Sequence, residues 1–99
     1  GVGGVEETEH ALGVLACSGA QMLWQKTQTG FESCGLDPKL AEPLLRQSAR
    51  AVLADPSLIV TGPFSRGDTK TITAHLSALE NDPYLSVYRA FEALHRPGH

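Results

Sequence analysis

The chain has 99 residues, of which 41% are hydrophobic, 6% aromatic and 19% charged, a composition typical of one small globular domain. It excludes collagen-like, disulfide-rich, strongly disordered and polytopic membrane proteins. Lys and Arg together number 8 against 11 Asp and Glu, giving a net charge of -3, so we expect no broad basic surface for nucleic acid. Because a domain of this size has little stability to spare, help from a second subunit is expected.

Neither a membrane span nor a secretory signal is predicted. The most apolar stretch, residues 11–24, is shorter than the roughly 20 residues that cross a bilayer and lacks the basic start of a signal peptide. Cys17 and Cys34 fall on what the pattern predicts as a single helix, which would hold them roughly 25 Å apart, too far for a disulfide. We therefore expect a cytoplasmic protein with reduced cysteines.

The N-terminal residues differ in composition from the rest of the chain. Residues 1–9 start with a glycine-rich stretch and are expected to form a flexible segment or linker. Three acidic side chains, Glu6, Glu7 and Glu9, suit the N-terminus of a helix, where the helix dipole favours negative charge. Residues 10–96 are expected to form the helical domain itself.

The first helix is predicted to be long and central. No proline occurs from the acidic residues to Ser33, and Gly35 follows as a residue suited to the left-handed position at a helix C-terminus. Residues 11–24 are apolar on nearly every face of such a helix, which is typical of burial all round. This pattern predicts a central helix that a second copy of the chain covers.

The second helix begins with a cap and a proline. Asp37 is the predicted N-cap, and Pro38 follows at the first helical position, where the missing N–H costs nothing. Apolar residues then recur at three- and four-residue spacing as far as Leu53. Pro43 lies inside this pattern and cannot donate a helical hydrogen bond, so the first turn is expected to be kinked or separate.

Two further helices and one loop complete an all-α, four-helix domain. Residues 56–67 are predicted to be a loop because they contain two glycines and two prolines without helical periodicity. Asp68 caps a third helix that ends near Asn81, and the Asp82-Pro83 pair starts a fourth that fades at Pro97. Residues 58–60 are the only β-like run and are too short for a sheet.

The segment Thr61–Asp68 is the most informative motif. Two glycines and a proline fix its backbone, and Arg66 is presented close to a helix N-terminus. The guanidinium offers a planar fork of donors to a carboxylate or phosphate, and the helix start adds a partial positive charge. Arg66 is therefore a candidate for binding a small anionic substrate. An equally supported alternative is that Arg66 pairs with a carboxylate of this chain or its partner and locks the loop.

His10 and Ser18 are the other candidate substrate-binding residues. His10 lies where the apolar helix begins, and its imidazole could hold a substrate oxygen or exchange a proton; a partly exposed first-turn histidine is the alternative. Ser18 interrupts the apolar helix together with Cys17 and Gly19, and close helix packing is the alternative to a pocket-facing hydroxyl. No residue is expected to be catalytic, and the histidines lack the spacing of a metal site.

The order of several motifs resembles a known family. The resemblance covers residues 10–96 and is most specific in the Thr61–Asp68 loop. The family is the C-terminal helical domain, catalogued as a domain of unknown function, of Rossmann-like oxidoreductases related to 6-phosphogluconate dehydrogenase, ketopantoate reductase and pyrroline-5-carboxylate reductase. The motifs that carry it are His10–Ala16, Gly35–Pro38, Thr61–Asp68, His75-Leu76 and Tyr88-Arg89-Ala90.

The resemblance implies a homodimeric, NAD(P)-dependent oxidoreductase with two domains. An N-terminal Rossmann domain, expected outside this chain, would hold the cofactor, and this domain would form an intertwined dimer and one wall of the substrate cleft. The family commonly has Ser-Asn where this chain has Cys17-Ser18, so an amide contact to substrate does not transfer to Ser18. The alternative function is a free-standing helical dimer that acts as a protein-interaction module.

Overall fold

The computed structural model describes residues 4–55, 57 and 62–95, and within these ranges it contains helices and turns but no strand. The predicted all-α class is therefore confirmed. The chain forms two compact units, Gly1–Ser57 and Leu58–His99. Several parts of the sequence prediction lie outside the described residues, namely residues 1–3 of the expected flexible segment, Pro56, the β-like run 58–60, Thr61 and residues 96–97.

The first unit is built on one long helix. It consists of α1 (Gly4–Val14), a π-helical segment (Leu15–Gly19) and α2 (Ala20–Ser33). The backbone stays right-handed helical at both junctions, so the three parts run on without a break, as predicted. The π-helical segment was not predicted. Residues 4–9 of the expected N-terminal segment belong to α1.

The long helix ends as its glycine predicts. Gly35 has φ +80°, the left-handed conformation that glycine adopts without a steric penalty. Its N–H donates to Glu32 O at 3.0 Å, and the next N–H, of Leu36, donates to Phe31 O at 2.9 Å. These two bonds form a Schellman motif, which satisfies carbonyls that the end of a helix would otherwise leave without partners.

The second predicted helix is divided at its first turn. Asp37 is the N-cap, and its carboxylate accepts a hydrogen bond from the Lys39 N–H at 2.9 Å. A 3-10 turn, Pro38–Ala41, comes first, and α3 (Glu42–Ala54) follows with Pro43 in its opening turn. The predicted separation is confirmed, because a proline is tolerated at a helix start but not in its interior.

The first unit has almost no buried core. Within its described residues only Ala41 is buried, at 2% exposure, where the 3-10 turn packs against α2. No residue of α1, the π-helical segment, α2 or α3 is buried. The chain itself therefore does not supply the all-round burial that the apolar sequence of the long helix predicts.

The second unit contains α4 (Pro63–Arg66), α5 (Thr69–Ala78) and α6 (Leu85–Leu94). Ile72 of α5 is its buried residue among those described, at 8% exposure. The structure corrects the predicted loop 56–67, because residues 63–66 form a helical turn. Pro63 stands at the start of this turn, where its fixed φ suits a helix.

The boundaries of the last two helices also differ from the prediction. The third helix ends at Ala78, not near Asn81, and a turn follows it. Asp82 does act as a cap, since its carboxylate accepts a hydrogen bond from Tyr84 N–H at 2.8 Å, but the bond closes a turn and the helix starts at Leu85. None of the helices in the described ranges is long and apolar enough to cross a membrane.

Candidate functional site

The loop that the sequence singled out is held by two glycines. Gly62 has φ +110° and ψ -171°, a backbone region that is essentially restricted to glycine. Gly67 ends α4 in the left-handed conformation with φ +64°. The Asp68 N–H donates across the turn to Pro63 O at 3.0 Å. This geometry fixes the direction in which the residues of the turn project.

Asp68 joins the turn to α5. Its carboxylate accepts hydrogen bonds from the Thr71 N–H at 3.2 Å and from the Thr71 hydroxyl at 2.8 Å, so the predicted N-cap is confirmed. The side-chain bond first, and then the backbone bond, hold the pKa of this carboxyl below its ordinary value of 3.8, despite opposing desolvation. The charges of Arg66 and His75 act in the same direction as the hydrogen bonds.

Arg66 is presented on the surface of the turn. Its Nη2 lies 3.8 Å from Asp68 Oδ2, and 63% of its side chain is exposed. An ion pair at this distance and exposure contributes little to stability, because water screens it. The guanidinium therefore keeps donors that are free to meet an anion, with the carboxylate of Asp68 nearby.

An aromatic cluster packs behind the turn. Phe64 lies edge-on against Tyr88, with ring centroids 4.9 Å apart, and stacks on His95 at 6.1 Å. The Tyr88 hydroxyl is hydrogen bonded to Nδ1 of His75 at 2.7 Å, and the two rings meet edge to face. The cluster thereby connects α4, which carries Arg66, with α5 and α6.

Tyr88 remains protonated at neutral pH. Burial first, and then the negative charge of Glu92, raise the pKa of its hydroxyl above the ordinary value of 10.0. The hydroxyl therefore keeps its proton and can act as donor or acceptor in the 2.7 Å hydrogen bond with Nδ1 of His75. The arrangement positions these side chains, and no described contact gives it a catalytic role.

The two candidates in the first unit stand apart from each other. His10 is exposed on α1, and Ser18 is exposed in the π-helical segment. Eight residues separate them on one helix, a distance of roughly 12 Å along the axis. These two side chains therefore do not form one site by themselves. Arg66 belongs to the second unit and is described there.

The cysteines and acidic residues form no further site in the described part of the chain. Cys17 and Cys34 are free and exposed, and both lie on the long helix or its cap, as the sequence predicts. No group of three or more His, Cys, Asp or Glu side chains that could hold a metal ion occurs among the residues that the structure describes.

The sequence profile of one family, a domain of unknown function designated DUF2520, matches residues 6–94. The chain belongs to the DUF2520 family. The match covers both units and includes the loop with Arg66 as well as His10 and Ser18. No match was found among curated proteins or solved structures.

The aromatic cluster is the main feature of this DUF2520 domain that was not predicted. In the sequence, Tyr88 and His75 stand out only in the motifs that carry the family resemblance, and no contact between them is predicted. Their contact depends on how α5 and α6 meet, and they are 13 residues apart in sequence. The available signal was a tyrosine among the apolar residues of α6, because a hydroxyl that is partly withdrawn from water gains from a hydrogen-bond partner.

The Asp68 cap gives a prediction with a defined pH dependence. At pH 7 the D68A variant is expected to melt a few degrees below the wild type, because it loses the cap. D68N keeps a capping oxygen but does not titrate, so it should melt close to the wild type at that pH. Since the folded-state pKa is depressed, the ionised carboxylate stabilises the fold above about pH 4. Thermal melts between pH 7 and pH 2 should therefore show the wild type losing stability relative to D68N as the pH falls through the folded-state pKa.

Proposed function

We propose that this domain is the dimerisation and substrate-cleft domain of an NAD(P)-dependent oxidoreductase, whose cofactor is held by a Rossmann domain elsewhere in the same protein. The observation that supports the dimer is the exposed apolar surface of the long helix. The role in an oxidoreductase rests on the motif resemblance, of which the Thr61–Asp68 loop is the most specific part.

The exposed apolar side chains support the dimer. Five of them lie on the long helix with more than half of their surface exposed, namely Val5 at 77%, Leu12 at 59%, Val14 at 57%, Leu15 at 70% and Met22 at 55%. Burying such a side chain contributes about 1.5–3 kcal/mol, and contiguous exposed apolar surface is typical of interaction sites. Covering this helix with a second copy would therefore supply the burial that the first unit lacks.

The described residues do not fit a dinucleotide cofactor. Such a cofactor is bound by a strand, a glycine-rich loop and a helix in succession, and the described ranges contain no strand. In the intact enzyme, hydride chemistry would belong to the bound cofactor, while this domain would bind and orient the substrate and exclude water. His10, Ser18 and Arg66 are the residues that we propose for substrate contacts.

Arg66 is the proposed contact for a small anionic substrate. In the intact protein we expect R66A to lower substrate affinity about tenfold or more, since a charge-assisted bidentate contact is lost. R66K keeps the charge without the planar fork and should recover only part of the loss. R89A removes an exposed arginine from α6 and serves as the control. Unchanged substrate affinity together with unchanged dimer stability in R66A would remove Arg66 from the site.

Sedimentation equilibrium of this chain under reducing conditions tests the dimer. The chain has a mass of 10.6 kDa, and we expect twice that mass over the micromolar range. A monomer at high concentration would overturn the assignment of the interface. Reducing conditions are needed because both thiols are exposed and could otherwise link two chains artificially.

The alternative is a helical dimer that acts as a protein-interaction module, and it differs in two observable ways. The proposed oxidoreductase requires a Gly-rich β-α-β unit encoded upstream of Gly1, and the intact protein should bind NAD(P)H whereas this chain alone should not. An initiating methionine directly before Gly1 with no such unit nearby would favour the module. Both alternatives share the dimer, so the sedimentation experiment tests them together.

A further inference from the structure

The first turns of α1 carry an apolar face bordered by acidic side chains. Val5 and Leu12 are exposed, and they line a shallow groove together with Thr8 and Glu9. Glu6 flanks this face at one side, as the 100° step of a helix requires. The N-terminal end of α1 therefore offers apolar surface with a negatively charged border.

The α3 helix carries the complementary arrangement. Its apolar band includes Leu45 and Val52, which are exposed, and extends to Leu53, which is 83% exposed. Arg46 and Arg50 stand one turn apart along the border of this band and line a common groove. Arg46 contacts Glu42 on the same helix at 2.8 Å, and among the described residues neither arginine forms an ion pair with an acidic residue of α1.

We propose that in the dimer the N-terminal end of α1 of each copy docks on α3 of the other copy, with Glu6 and Glu9 facing Arg46 and Arg50. This inference rests on the proposed dimer and assigns its contact. Each chain carries one apolar face with an acidic border, on α1, and one apolar face with a basic border, on α3. A two-fold axis then brings each face onto its complement twice, as a symmetric dimer requires.

Charge complementarity favours a second copy of the chain over other partners for the apolar face of α3. Apolar bands alone would accept any amphipathic helix, but a border of glutamates is complementary to a border of arginines, and like charges brought together oppose docking. A second copy presents the required glutamates at the same concentration as the arginines. The occupant is therefore the chain itself, and the two faces meet between copies.

Charge reversal tests the contact. The E6K/E9K variant makes both faces basic, and the R46E/R50E variant makes both acidic, so each should form homodimers on the order of 100-fold more weakly than the wild type. Mixing the two variants restores attraction at both symmetric contacts, and we expect heterodimers at near wild-type affinity. Sedimentation and native mass spectrometry of the complete chain measure both effects. E7K reverses a single charge on the opposite side of α1 and should leave the homodimer unchanged.

The possible results distinguish a failure of the proposed α1–α3 contact from a failure of the proposed dimer. If the wild type is dimeric and both double variants dimerise as tightly as it does, the contact is wrong and the dimer stands. If both variants weaken but their mixture forms no heterodimer, the charges do not meet across two copies and the inference is overturned. A monomeric wild type would overturn the proposed function as well. Circular dichroism must show wild-type helicity for each variant, and the heterodimer supplies a positive result that unfolding cannot imitate.

Discussion

Replacing Leu15 by glutamate is expected to convert the dimer into monomers. Leu15 is 70% exposed within its own chain and lies at the start of the π-helical segment, about midway along the long helix. In a monomer, a substitution at so exposed a position changes stability by about 0.5 kcal/mol or less. In a dimer that covers this helix, the glutamate would be buried without a partner, at a cost of several kcal/mol. Sedimentation should therefore show a dissociation constant raised at least about 1000-fold.

The matched control for L15E is T73E, which places the same side chain at an exposed position of α5. We expect T73E to sediment like the wild type. A dimeric L15E with an unchanged melting temperature would mean that the middle of the long helix faces water in the assembly. The dimer would then have to form through another surface, and the argument from the exposed long helix would fail.

Features that depend on neighbouring residues could be predicted from the sequence. The caps Asp37 and Asp68 and the left-handed Gly35 were all correctly assigned. In each case a short side chain or a glycine satisfies backbone groups within about one turn, so a few residues contain all the information. Pro43 separated two helical segments for the same reason, because its missing N–H acts only on the adjoining turn.

Features that depend on how helices meet could not be predicted. The π-helical segment Leu15–Gly19 has no local signal of its own, since these residues also suit an ordinary helix. The pairing of His75 with Tyr88 requires the angle between two helices. By contrast, the Gly62-Pro63 pair did contain a signal for the short α4 turn, because proline favours the first helical position. The glycines and prolines of residues 56–67 predict a loop only when this position of Pro63 is left out of account.

The surroundings of Arg66 were predicted in part. Arg66 was correctly placed next to a helix start, and its contact with Asp68 fits one alternative, in which a carboxylate of the same chain restrains it. Its exposure also leaves room for the other alternative, an anionic ligand. The sequence could not distinguish them because both use the same donors, and the distance of 3.8 Å and the exposed side chain permit both.

The Ile72→Ala substitution is expected to have the largest effect on the stability of the second unit. Ile72 is the buried residue of α5, and its N–H donates to Asp68 O at 3.0 Å, one turn after the cap. Truncating a buried isoleucine to alanine costs about 2–4 kcal/mol, because apolar contacts are lost and a cavity remains. Amide hydrogen exchange should measure this loss as opening of α5 and α6 that is about 30- to 900-fold more frequent.

The conservative variant Ile72→Val tests whether the packing of α5 holds the turn that carries Arg66. It removes one methyl group and should cost only about 0.5–1.5 kcal/mol, so its exchange rates should lie between those of the wild type and I72A. The Asp68 N–H, which donates to Pro63 O, reports the turn that carries Arg66. If it exchanges faster in the order wild type, I72V, I72A, the packing of α5 holds that turn in place. If its exchange is the same in all three while α5 opens, the two glycines and the aromatic contacts of Phe64 suffice to hold it, and Arg66 is positioned independently of the core.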